Sequence, residues 1–428
     1  MPESNIENVE QFRDRARRWI TENLAPVRPD ASESLDLTRA RDLQAMIFDA
    51  GFAGIAMPRE YGGAGLTLDH QAAWAQETRG REVPDILYVS IGVLGVTLLE
   101  HGAPDFVAEH LPRILRGQEV WLQMLSEPSG GSDMAAVTTR AVRAERGWVL
   151  NGAKIWTSLA DRADWGMCLA RSDRNRSKHG GLSMFAIPLA APGVTITPII
   201  GLDGGPAHFF QEFLDDVAVP ANHLVGGEND GWRVARDLLK SERNAITGVG
   251  HGLGLRQSSV GESTNLVAQP FAASTTHADP VLDDAVVQNW VNETVRVELG
   301  KRISTGMRVG AIDGSWGSVL KLSLAAEGIR SAEVKLRAAG IDAVIWDSED
   351  PAIPPPALSW LTSRRYSIAG GTNEIQRNII SERILKMPRE RAIDNRGLAP
   401  EAVGEKPLQG NSRQPDDGRP ASKGKGRS

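Results

Sequence analysis

The period of the hydrophobic pattern changes twice along this chain, and that change bounds the fold more tightly than any single motif. From the N-terminus to about Arg116 the apolar residues recur every three or four positions. In "NVEQFRDRARRWITENL" they are Val9, Phe12, Ala16, Trp19 and Ile20, the spacing of one helix face. Glycine-rich turns such as "REYGGAGL" and "EHGAP" punctuate this region. Between about Trp121 and Gly231 the period becomes two, in "DWGMCLARSD", "GLSMFAIPL", "GVTITPII" and "HFFQEFLDDVAVP", as strands with distinct faces require. In "WVLNGAKIW" an Asn-Gly pair stands between apolar stretches, which predicts a hairpin turn there. Helical spacing returns from Gly231 to about Asn395, broken at "AASTTHADP" and "SEDPAIPPPALS". The reading is α+β, with an N-terminal helical domain over 1–120, a middle β-domain over 121–230 and a C-terminal helical domain over 231–395. From 396 to 428 Gly, Pro, Ser and charge take over, which predicts a disordered tail.

Charge and cysteine content narrow the partners. A length of 428 residues suits two or three packed units. The formal net charge of -6 offers no long-range attraction to nucleic acid or to an anionic membrane. With Cys168 as its single cysteine the chain forms no internal disulfide and no cysteine-based zinc site, and a reducing, cytoplasmic setting is expected. The first residues lack a secretory apolar run, and no later run reaches the ~18 residues of a membrane span. The eight histidines show no metal-ligand spacing, so no metal is expected.

Two segments carry polar groups in patterns suited to a ligand. "LSEPSGGSD", Leu125 to Asp133, opens the β-domain with two glycines flanked by serines. Such a stretch leaves backbone N–H groups and hydroxyls available to phosphate or ring carbonyl oxygens; alone, it reads more often as a surface turn. "LNGAKIWTS" follows about twenty residues later. With "GIAMPREYGGAGL" before them and "VPANHLVGGENDGW" and "GGTNEIQRNIISERIL" after, these motifs resemble the acyl-CoA dehydrogenase family, in its order and over about Asn8 to Arg391. The resemblance implies an N-terminal helical bundle, a middle antiparallel β-barrel or sandwich and a C-terminal helical bundle, with FAD between the last two.

The resemblance also assigns roles by position. Ser126 and Ser132 match flavin-contacting hydroxyls, and Trp156 and Ser158 match a Trp and a Thr that sit against the flavin. Thr372 and Glu374 fall in a segment that lies along the cofactor. A lone Trp reads more simply as a core aromatic. The family removes the α-proton of an acyl-CoA thioester with a carboxylate while hydride passes from the β-carbon to flavin. In many members that carboxylate stands where this chain has Gly370, which has no side chain to accept a proton. Other relatives place it on the helix after the β-domain, a position held here by Glu242. The residues give this position support of their own. On a helix Ala235, Leu238, Leu239, Ile246 and Val249 form an apolar stripe, and Glu242 lies four residues from both Leu238 and Ile246. An inward glutamate invites a functional reading; a buried ion pair with Arg243 or Arg377, or a slightly rotated helix that exposes Glu242, reads the pattern equally well, and the position in the resemblance favours the base.

The resemblance fails at two points. The Arg-x-x-Phe-Gly and Gln-x-x-Gly-Gly-x-Gly segments with which tetrameric members grip a neighbour's FAD are replaced by "RQSSVGESTNLVAQPF" and "KLRAAGIDAVIWDSED". Bacterial members acting on bulky substrates, including steroid side chains, are often two-plus-two heterotetramers with a similar "AGGTNEIQR". The expectation is therefore an FAD-dependent acyl-CoA dehydrogenase with Glu242 as base, working as a dimer or a two-plus-two assembly. Its electrons would pass to an electron-transfer flavoprotein and its substrate would be a bulky or steroid-derived acyl-CoA. The alternatives are a non-catalytic partner subunit and a flavin-dependent monooxygenase or oxidase on the same fold.

Overall fold

The computed structural model of the protein describes residues 6–27, 36–202, 208–247, 279–345 and 353–389. The expected tail, "RQSSVGESTNLVAQPF", Val249 and the side chain of Ile246 lie outside the described residues.

Helix α1, Val9–Asn23, begins where Asn8 accepts the Gln11 N–H at 2.9 Å and the Gln11 side chain reaches back to the Asn8 N–H, a reciprocal cap of about 1 kcal/mol. The expected stripe faces inward: Phe12, Ala16 and Ile20 pack with Phe52 and Trp74. Helices α2 (Leu37–Asp49), α3 (Leu68–Glu77), α4 (Val96–His101) and α5 (Pro104–Leu115) complete the N-terminal region. Pro104 opens α5 at a position where its missing N–H costs nothing. A fully buried π-type turn, Ser90–Gly95, leads into α4.

The strands β1 (Trp121–Met124), β2 (Arg140–Ala144), β3 (Gly147–Thr157), β4 (Trp165–Arg171), β5 (Leu182–Pro188), β6 (Val194–Ile199), β7 (Phe209–Pro220) and β8 (Leu224–Val225) form one eight-stranded sheet. The order runs β6-β7-β3-β2-β4-β5-β8, and β1 pairs with β4. Pairing is mainly antiparallel, as expected; β1 runs parallel to β4, and a single parallel bridge joins Arg140 to Arg171. Period two explains how β4 and β5 bury both faces. Met167, Leu169, Leu182, Met184 and Ala186 join the helical core with Val234, Ala235 and Leu238. Cys168, Ala170, Phe185 and Ile187 join a second core with Trp148, Leu150 and Val217.

The Asn-Gly expectation is corrected. Strand β3 runs straight through Asn151 and Gly152, and the hairpin turn lies at Glu145 and Arg146, between the paired Ala144 and Gly147. Asn151 and Gly152 instead lie opposite a bulge in β7, whose extra residue shifts the register from Leu150–Val217 to Gly152–Leu214. The Asn151 amide exchanges hydrogen bonds with Asp216 at 2.9 and 3.0 Å, so the residue that could have capped a turn stitches two strands.

Helical structure resumes with α6, Gly231–Thr247, followed by the helices Pro280–Arg308, Gly317–Ala339, Pro355–Thr362 and Asn373–Ile379. Helix α6 packs on the β4–β5 face and against the π-type turn, which makes it the joint between the helical regions and the sheet. Among the described residues no helix is long and apolar enough to cross a membrane.

Candidate functional site

The two polar motifs meet through a buried ion pair. Glu127, inside "SEPSGGSD", accepts Lys154 Nζ at 2.9 Å, and Lys154 lies inside "NGAKIWTS" with no exposed surface. Lys154 also donates to the Leu169 carbonyl at 2.6 Å. Glu127 accepts the Thr138 N–H and hydroxyl at 2.6 and 2.7 Å and the Thr139 N–H at 2.9 Å. Burial alone raises a carboxyl pKa, but Lys154 and these donors outweigh it and hold Glu127 down to about 2. Above the pair, Ile155 N–H donates to the Ser126 carbonyl at 3.1 Å. The loop bearing Ser126 and Ser132 is thereby fixed beside the end of β3. Sequence reading missed Glu127 and Lys154. The available signal was a charge in the middle of each motif, with Lys154 on the inward parity of Leu150.

That parity places Trp156 inward too, and the structure turns it out. Register shifts between Ile155 and Thr157, Trp156 adopts φ 69°, and Thr157 takes the buried place. A positive φ on a bulky residue is a strained outlier worth about 1–3 kcal/mol. Trp156 is 58% exposed, with Phe209 edge-on at 6.1 Å. The core-aromatic reading is therefore wrong for this residue. Ser158 beside it is exposed, as is Ser132, and Ser126 is half-buried. Thr157 Oγ1 donates to Glu212 Oε2 at 2.9 Å beneath the turn.

Glu242 points inward from α6 and is 7% exposed, on the face that carries Ala235, Leu238 and Ala245. The Gln123 amide of β1 lies 3.4 Å from its Oε2. Cations surround it. Arg243 and Lys321 are each held below their ordinary pKa by burial, and in both cases the Glu242 charge pushes back. Lys321 also feels Glu374 and donates to the Tyr366 carbonyl at 3.0 Å, so one ammonium stands in the field of both glutamates and ties down the Tyr366–Gly371 turn. Arg377 is engaged elsewhere, with Glu374 at 3.3 Å.

The Gly370 position has a backbone reason for its residue. Gly370 and Gly371 have φ 68° and 91°, conformations glycine adopts without a Cβ penalty. Gln376 Nε2 donates to both their carbonyls, at 3.0 and 3.1 Å. Thr372 then caps the helix Asn373–Ile379 by accepting the Ile375 N–H, and Glu374 is exposed in its first turn. The structure thus joins Ser126 to the Trp156–Ser158 turn and relates Glu242 to Glu374 through Lys321. Among the described residues no hydrogen bond or ion pair links Thr372 or Glu374 to that turn.

Comparison with known proteins gives a consistent result. Models of the acyl-CoA dehydrogenase N-terminal, middle and C-terminal domains match residues 7–118, 123–213 and 229–385. The acyl-CoA dehydrogenase IpdE1 of Mycobacterium tuberculosis is 34% identical over 394 residues, covering 90% of this chain and 99% of its own. FadE34 from the same organism is 34% identical over 356 residues, 81% of this chain and 46% of its own. Among solved structures, the Tcur3481-Tcur3483 steroid ACAD superposes with a TM-score of 0.72 at 23% identity, covering 89% of this chain and 98% of its own. The ChsE4-ChsE5 complex of Mycobacterium tuberculosis gives 0.70 at 23%, covering 91% and 100%. With three domain models in order and a full-length relative at this identity, the chain belongs to the acyl-CoA dehydrogenase family, a family of oxidoreductases.

Proposed function

We propose that this chain is an FAD-dependent dehydrogenase that introduces an α,β double bond into an acyl-CoA thioester, with Glu242 as the base. One observation carries the reading: the place of the usual carboxylate is a glycine in a left-handed turn, while a glutamate on the neighbouring helix is turned into the interior beside two cations. A base must be shielded from water and still able to take a proton.

The residues present fit a flat ligand with polar edges. Trp156 offers an exposed indole face, Ser158 an adjacent hydroxyl, and Ser126 stands across one backbone hydrogen bond. A Cβ at Gly130 or Gly131 would meet its first neighbour only at 3.9 Å, so the glycines leave that face open. Trp156, Ser126, Ser132 and Ser158 would hold FAD, with Thr372 and Glu374 along it. When bound, FAD supplies the hydride acceptor. Glu242 removes the α-proton, the Gln123 amide and Lys321 set its orientation and charge, and Trp156 excludes water from one face. An electron-transfer flavoprotein would reoxidise the cofactor, in the cytoplasm.

The substrate in this reading is a bulky, steroid-derived acyl-CoA and the working form a dimer or two-plus-two assembly; the names of two similar structures, a Tcur3481-Tcur3483 steroid ACAD and a ChsE4-ChsE5 complex, support it. The second reading, a non-catalytic partner subunit, is favoured by Gly370 and by the replaced FAD-gripping segments, against the retained flavin-contacting hydroxyls. Anaerobic titration with short, branched and steroid-like acyl-CoA thioesters decides between them. Bleaching of bound flavin in wild type but not in flavin-loaded Glu242→Gln supports the base. Equal bleaching in both removes Glu242 from the chemistry, and a chain that takes up no flavin is the partner subunit.

A further inference from the structure

Beneath the Trp156 turn the β-domain buries two carboxyls and one ammonium. Glu212 of β7 is the cross-strand neighbour of Lys154 and has no exposed surface. Lys154, however, directs its donors to Glu127 at 2.9 Å, the Leu169 carbonyl at 2.6 Å and, more distantly, the Leu125 carbonyl at 3.5 Å. Glu212 Oε2 accepts from Thr157, and its Oε1 is buried with no hydrogen-bond partner. A buried carboxylate with an unsatisfied oxygen is expensive, and the cheaper state is the neutral acid.

The geometry points to Glu212 as a positioning residue for the flavin-facing surface: as a neutral acid it leaves Lys154 to Glu127, and on losing its proton it competes for that ammonium. Ionisation therefore loosens both the Leu125–Asp133 loop and the turn that presents Trp156. The Lys154 charge of β3 acts on Glu212 directly, and Cys168 of β4 lies in the field of Lys154, Glu127 and Glu212 together. Burial lifts the Cys168 thiol to about 11 and the Glu127 carboxyl lies near 2, so neither changes charge near neutrality. Burial raises Glu212 to about 7, against the opposing Thr157 hydrogen bond and the Lys154 charge. The positioning role rests on the proposed flavin reading; the proton on Glu212 does not.

Two measurements separate these. Infrared spectra of the flavin-free chain, stepped from mildly acid to mildly alkaline pH, should show a protonated-carboxyl band that fades across neutrality and is missing from Glu212→Gln. A band unchanged in Glu212→Gln, or no fading band in wild type, overturns the proposal. FAD affinity should then fall about tenfold in wild type over the same range, the size of one lost hydrogen bond to a charged group. In Glu212→Gln it should stay flat at the acid-side value. Thr157→Val removes a bond that favours the ionised form, so its midpoint should move to higher pH, which a purely structural role would not produce. A titrating band with pH-independent FAD affinity sinks the positioning role. No FAD uptake at any pH sinks the flavin reading and that role together, while the infrared band still reports the proton.

Discussion

Glu127 and Glu242 are both buried glutamates, yet their surroundings differ in kind. Glu127 sits in the β-domain with the Lys154 ammonium and three donors from Thr138 and Thr139, all within 2.9 Å. Glu242 sits on a helix face with an amide at 3.4 Å and the charges of Arg243 and Lys321 around it. A carboxylate whose lone pairs are filled by short, fixed donors stays ionised and cannot take a proton without breaking them. Glu242 stands on an apolar helix face among ionisable side chains, the setting that the proposed base requires. The β-domain spends its buried charge on fixing two loops, and α6 presents its own to the interior.

The sharpest way to break this contrast is to neutralise each carboxylate in turn. In Glu242→Gln the rate of flavin reduction by an acyl-CoA should drop by about 10²–10⁴, the usual contribution of a general base. Its denaturation midpoint should fall only moderately, since the amide keeps the shape but leaves the buried Arg243 and Lys321 without the opposing Glu242 charge. Stopped-flow reduction and urea unfolding on the same preparation read both; a large loss of stability with an intact rate would reverse the assignment.

The β-domain should respond the opposite way. Lys154→Met strands the Glu127 carboxylate, and removing one partner of a buried pair costs about 3–5 kcal/mol. Adding Glu127→Gln should recover part of that loss. Urea unfolding of both singles and the double closes the cycle, and single-mutant costs that simply add would show that the pair is not coupled.

The same region contains its own opposition, readable by pH. Glu127 is held below its ordinary 4.5, at about 2. The folded state therefore binds that proton less tightly, and its contribution to stability is present above 4.5 and disappears as pH falls towards 2. Glu212 is raised from 4.5 to about 7. Its contribution is complete below 4.5 and is lost as pH rises through 7. Thermal unfolding across this range should show Glu127→Gln flattening the acid limb and Glu212→Gln flattening the neutral one.

Much of this was legible before any coordinates. Period and turn residues located the helical regions, and strands β4 to β7 coincide with stretches read from alternation alone. The stripe on α6 correctly turned Glu242 inward. What escaped had physical causes. Strand β1 is four residues long and pairs in parallel with β4, so neither alternation nor a local turn announces it. Trp156 lies at a bulge in β3, where one extra residue inverts the parity on which strand reading depends, and the Asn-Gly pair lies mid-strand opposite a bulge in β7. Glu127, Lys154 and Glu212 escaped because their partners come from separate segments of the chain.

The smallest effect tests whether the base could simply be moved back. Gly370 has φ 68°, and an L-residue in the left-handed region costs about 1–2 kcal/mol. Gly370→Ala should lose that much in urea unfolding with flavin reduction close to wild type. The instructive variant is Gly370→Glu on the Glu242→Gln background. Its carboxylate would leave a strained, left-handed backbone whose two carbonyls are already clamped by Gln376, so it should recover little of the lost rate. Near-complete recovery would show that the turn yields to a side chain, and that the interior face of α6 is one of two equivalent places from which this fold can present its base.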